Sequence, residues 1–198
     1  MAKARPAAPW ATLLIAAATT AFYVWLASRP DEAYLRTVDA WGLKPGGSQP
    51  ISFVASTVVH EGWKHLGLNM LLLLVFAPAV EKRVRSWGLA LIYVLAGVAG
   101  AAAHLAWLPP GLKMMTLVGA SGAVSGAIGA HLALRPWGKT SLLLAGAWAA
   151  LNLAGLLVLD RAGARGISYL SHLGGLAAGA LIAAALLAIR PSAERKAP

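Results

Sequence analysis

GASGAVSGAIGAHLAL, residues 119–134, is the stretch that decides the fold. It carries no charge, and apart from Ser121, Ser125 and His131 its side chains are apolar or absent. Gly119, Gly122, Gly126 and Gly129 recur at three- and four-residue intervals, the repeat that lines one face of a helix. A water-exposed helix needs a polar face, and this run has none. A barrel strand would alternate apolar and polar residues, and this run does not. It therefore reads as a helix in an apolar medium. It is short for a full crossing, which a span can be if its first turn opens into a water-filled cavity.

Working outward, comparable apolar runs lie near 10–28, 65–80, 89–108, 140–159 and 168–189, six helices with the one at 120–134. Most are close to the roughly 20 residues that cross a bilayer, and the run at 65–80, like that at 120–134, is short for a full crossing. Pro30, Pro109, Pro110, Pro136, Gly163 and Gly166 punctuate the gaps. Hydrophobic residues make up 59% of the 198-residue chain and charged residues only 12%. A soluble domain carries about 25% charged residues. So little charge cannot cover a water-exposed surface, and lipid must be the solvent for much of the chain. The fold class is an all-α membrane protein, a six-transmembrane-helix bundle over residues 10–190. A short basic segment (1–9) precedes it and a polar tail (191–198) follows. Lys3 and Arg5 before the first run resemble a signal peptide. No convincing cleavage site follows, so the run reads as a retained helix.

Charge sets the orientation. The side of the N-terminus collects ten of the 17 basic residues: Lys3, Arg5, Lys82, Arg83, Arg85, Arg135, Lys139, Arg190, Arg195 and Lys196. Five of the seven acids, Asp31, Glu32, Asp39, Glu61 and Asp160, fall on the opposite side. Both termini are therefore expected in the cytoplasm, with the protein multi-pass in the cell membrane. The net charge of +10 sits in short gaps between apolar runs, which is membrane topology rather than a nucleic-acid patch. The absence of cysteine excludes disulfides and thiolate chemistry.

Polar side chains at such spans need a reason, because lipid penalises them. The second, fourth and sixth spans run in the same direction, and His65, Ser121 and His172 stand near their outer starts. Asn69 lies one turn below His65 on the same face. A serine, two histidines and an amide at one depth are the ingredients of acyl transfer. His131, about 15 Å deeper than Ser121, and His104 fit packing or interfacial roles better. Asn152 reads as a hydrogen bond between helices. Gly122-x-x-x-Gly126 and Gly175-x-x-x-Gly179 permit close helix approach beside Ser121 and His172. Ordinary helix packing explains such patterns when they stand alone. The His60–His65 pair imitates a zinc motif, but its i, i+5 spacing turns the two rings about 140° apart on a helix instead of about 40°. No metal and no cofactor are expected.

Taken together, His60-x4-His65-x3-Asn69, Gly119-Ala120-Ser121-Gly122 and His172-x-x-Gly175-x-x-x-Gly179 resemble the rhomboid intramembrane serine proteases. Glu81-Lys82-Arg83 resembles the charged end of that family's second span. The resemblance implies a Ser–His dyad without aspartate, Ser121 as nucleophile and His172 as base. It also implies an oxyanion hole of His65, Asn69 and the Ser121 N–H. His60 would line the same cavity, with Gly119, Gly122, Ser125, Gly175 and Gly179 around the dyad. The implied partners are single-span transmembrane substrates, the lipid bilayer and hydrolytic water. Substrates would enter sideways between the second and fifth spans. Two positions depart from the family pattern. Ile51-Ser52 stands where a Trp-Arg pair is common in the loop at 29–59. Ser125 stands where an aromatic commonly stacks on the histidine. The alternatives are a rhombosortase, which processes C-terminal sorting signals, and a non-catalytic rhomboid-like pseudoprotease that binds membrane clients.

Overall fold

The computed structural model describes residues 8–46, 48–106, 116–134, 139–159 and 167–189. Helix α1 spans Trp10–Ala27, α2 Asp31–Trp41, α3 Ser52–Ala55, α4 Trp63–Ala106, α5 Ser121–Leu134, α6 Lys139–Ala154 and α7 Tyr169–Ala188. A π-helical turn, Gly155–Leu159, continues α6. Among the described residues the only β pairing is an isolated bridge between Leu43 and Leu117.

Among the described residues four helices, counting α6 through Val158, are long and apolar enough to cross a membrane. One of them, α4, has 44 residues, about 66 Å at the helical rise and twice a hydrocarbon core of about 30 Å. It is in fact two helices meeting at Arg85, whose φ of 66° and ψ of 168° break the ladder. The expected loop at 81–88 is therefore absent. Helix continues through Lys82 and Arg83 on one side and from Ser86 on the other, and a single residue makes the turn. The segment 29–59, read as a loop, contains α2 and α3. Pro30 opens α2 with Asp31 and Glu32 in its first turn, where acids favour the helix dipole. The expected tails at 1–9 and 191–198 lie outside the described residues, except for Ala8 and Pro9.

Helix α5 is the centre. Every residue from Gly122 to His131 is buried, so this helix is solvated by protein rather than lipid. It packs between α4 and α7, while α1 leans on α4 and α6 flanks the bundle. Only Ala145 and Asn152 are buried on α6. Leu14, Leu71, Leu143 and Leu181 are among the large apolar side chains left exposed on the outer helices. That much exposed aliphatic surface belongs in lipid, and the protein is an all-helical membrane protein.

Two polar anchors fix the frame. No side chain at Pro9 caps α1. Instead the buried Glu81 carboxylate accepts from the N–H groups of Ala11 (2.8 Å) and Thr12 (2.9 Å) and from Thr12 Oγ1 (2.7 Å). It also accepts from Ser86 Oγ across the Arg85 turn (2.6 Å). One carboxylate thus satisfies orphan donors of α1 and places its start beside the far end of the first arm of α4. The second anchor holds the end of α2. Leu43 and Leu117 exchange backbone hydrogen bonds of 3.0 and 2.8 Å, which tie that end to the segment leading into α5.

Candidate active site

The site is assembled at the starts of α4, α5 and α7. The first helical bond of α5 runs from Val124 N to Ala120 O, so the N–H of Ser121 is not used by the helix. Gly119 turns the chain into α5 with φ +112°. A Cβ there would stand 2.5 Å from His65 Cε1. Only glycine satisfies both the turn and the approach of the imidazole. The N–H of Gly119 donates to Ser56 O (2.9 Å), so the α3 segment also fixes this turn.

His172 Nε2 lies 2.7 Å from Ser121 Oγ. The approach is set by backbone. A Cβ on Gly175 would lie 2.0 Å from Gly122 O, and one on Gly179 would lie 2.0 Å from Gly126 O. The two small-residue patterns therefore face each other, which brings α5 and α7 into main-chain contact. His65, Asn69, Ser121 and His172 line one cavity of about 370 Å³. Asn69 is buried and donates one amide N–H to His65 O (2.9 Å). His65 Nδ1 is buried with no hydrogen-bond partner among the described residues.

His60 does not line this cavity. It is fully buried against the turn that leads into α5. Its Nε2 accepts the Ala120 N–H (3.3 Å), and its Nδ1 lies 3.3 Å from Val58 O. Its ring meets that of His65 edge-on, with centroids 5.1 Å apart. Burial, and secondarily His65, lowers the His60 pKa to about 4. A neutral imidazole suits a ring that must accept at one nitrogen and donate at the other.

Asn152 makes the hydrogen bond between helices expected of it; sequence reasoning missed that His172 is the partner, and missed Trp148. His172 Nδ1 lies 2.5 Å from Asn152 Oδ1. The Trp148 indole lies against the His172 ring at 5.3 Å, and its N–H donates to Ser125 Oγ (3.1 Å). The available signal was the i, i+4 spacing of Trp148 and Asn152, two groups with N–H donors on an otherwise apolar helix. His104 is expected in a packing or interfacial role. Its Nδ1 lies 2.8 Å from the hydroxyl of Ser168, which caps α7 by accepting the Ser171 N–H. It thereby steadies the start of the helix that carries His172. His131 packs edge-on against Phe76.

A helical bundle buried around a short glycine-lined helix, with serine and histidine meeting at its mouth, defines a class of membrane protein. Residues 47–189 match the Rhomboid domain family, and the chain belongs to it. It is 31% identical over 144 residues to Rhomboid protein 1, mitochondrial, of Saccharomyces cerevisiae, covering 66% of this chain and 40% of that protein. It is 38% identical over 74 residues to Rhomboid-like protein 11, chloroplastic, of Arabidopsis thaliana, covering 37% of this chain and 25% of that one. The chain thus spans less than half the length of either relative.

Proposed function

We propose that this protein is an intramembrane serine endopeptidase. Ser121 is the nucleophile and His172 the general base and later acid. The 2.7 Å contact between Ser121 Oγ and His172 Nε2, in a cavity shared with His65 and Asn69, carries the reading.

Serine attacks a carbonyl only when a neighbour takes its proton. His172 Nε2 accepts the Ser121 proton as Oγ bonds to the scissile carbon. The tetrahedral oxyanion is held by the Ser121 N–H, the remaining Asn69 amide N–H and an imidazole N–H of His65. Collapse breaks the C–N bond, and the departing amine takes the proton from His172. Water, deprotonated by the same imidazole, then hydrolyses the acyl-enzyme and regenerates Ser121. The dipole of α5 favours negative charge at its start, where the oxyanion forms.

The substrate is a single-span membrane protein. A helix shields its peptide bonds, so cleavage falls near the outer end of the span, after a small residue and beside helix-breaking Gly or Pro. The two arms of α4 each cross the bilayer, and with α1, α5, α6 and α7 they make six spans. Both termini are cytoplasmic and the membrane is the cell membrane. The test is incubation of purified protein in proteoliposomes with a single-span substrate, beside labelling with a fluorophosphonate. The wild type should cleave and label, while Ser121→Ala and His172→Ala should do neither. A folded wild type inert in both assays overturns the proposal.

A further inference from the structure

His172 has a second hydrogen-bond partner besides Ser121. We propose that Asn152 is a positioning residue that fixes the tautomer of His172, with Trp148 holding both in place. The inference rests on the protease reading and deepens it.

The hydrogen bonds dictate the direction of every proton. Asn152 Nδ2 lies 2.8 Å from Trp148 O. That carbonyl can only accept, so the amide nitrogen faces it and Oδ1 faces His172. Oδ1 can only accept in turn, so His172 Nδ1, 2.5 Å away, carries the hydrogen. In the neutral ring Nε2 is then the lone-pair nitrogen, and it is the atom 2.7 Å from Ser121 Oγ. When Nε2 gains the serine proton, Nδ1 keeps its hydrogen and Asn152 keeps its bond. An aspartate would do this with charge, at the cost of a carboxylate beside lipid. The amide orients the ring without that cost. Trp148 covers the face of His172, and its indole N–H is fixed on Ser125, where the family pattern has an aromatic. The aromatic surface comes from α6 instead of α5, and Ser125 is its anchor.

The test compares wild type with Asn152→Leu and Asn152→Asp in proteoliposomes, with active sites titrated by fluorophosphonate. For Asn152→Leu, kcat per titrated site should fall about 10–100-fold, with KM within about twofold. For Asn152→Asp, turnover should be restored and the acid limb of the kcat/KM profile should move up by about one pH unit, because the carboxylate stabilises the imidazolium. A packing role alone would lower the melting temperature and the titrated fraction, leaving the turnover per site of Asn152→Leu unchanged. That result overturns the proposal. A readout independent of catalysis is histidine ¹⁵N NMR, with the His172 signals assigned by His172→Gln. Wild type should show Nδ1 protonated and Nε2 bare, and Asn152→Leu should lose that preference. A wild type that does not cleave but keeps the Nδ1–H tautomer overturns the protease reading alone. An Nε2–H tautomer in wild type overturns the role of Asn152.

Discussion

A methyl group at position 119 would stand 2.5 Å from His65 Cε1 on a backbone at φ +112°. Gly119→Ala should therefore cost at least about 2 kcal/mol and displace His65, which thermal unfolding in detergent and a cleavage assay would register together. Asn69→Ala should lower kcat about 100-fold, as loss of one oxyanion donor does, with KM little changed in steady-state assays. His60 makes stability depend on pH. Its pKa of about 4 in the folded protein lies below the unfolded value of about 6.5. The folded state thus resists a proton that the unfolded chain accepts. The stability is complete above about pH 6.5 and is lost as pH falls through the folded value of about 4, a total on the order of 3 kcal/mol. Melting curves between pH 7.5 and 4 should show this slope, and His60→Gln should flatten it.

Between elements, the tightest seam joins α5 to α7. Gly175→Ala would drive a methyl into Gly122 O, which lies 2.0 Å from the Cβ position. Displacement of about 1 Å between reacting groups can cost 100-fold in rate, so cleavage by this variant should fall at least that far. Gly146→Ala is the control, since nothing lies within 4 Å of its Cβ position. It should cleave and melt like wild type. The seam was legible in the sequence because Gly122, Gly126, Gly175 and Gly179 carry their spacing openly. The pairing of Asn152 with His172 was not legible. The i, i+4 pair Trp148 and Asn152 marks a face of α6 for contact with another helix, but nothing in the sequence says that His172 is the partner. The Arg85 turn was hidden for a related reason. The gap between the runs at 65–80 and 89–108 does not say how short its turn is, and here Arg85 alone makes it.

Across the whole molecule, Glu81 ties α1 to the turn of α4. Removing a charged acceptor from several buried donors costs about 2–3 kcal/mol. Glu81→Ala should lower the melting temperature while leaving kcat per titrated site near wild type, because α1 does not line the cavity. The bundle order and the pairing of Ser121 with His172 could be read from where each apolar run begins. The linking segment 29–59 could not be read in that way. The Leu43–Leu117 bridge gains meaning only from the two elements that it fastens. Where α5 meets α7, no rotatable side chain separates the main chains at Gly122 and Gly175. The spacing of the two main chains that carry Ser121 and His172 is thus ruled by backbone contact. Glycine is also already the smallest residue. Drift at these positions can only widen the seam, and no shrinkage across it can compensate.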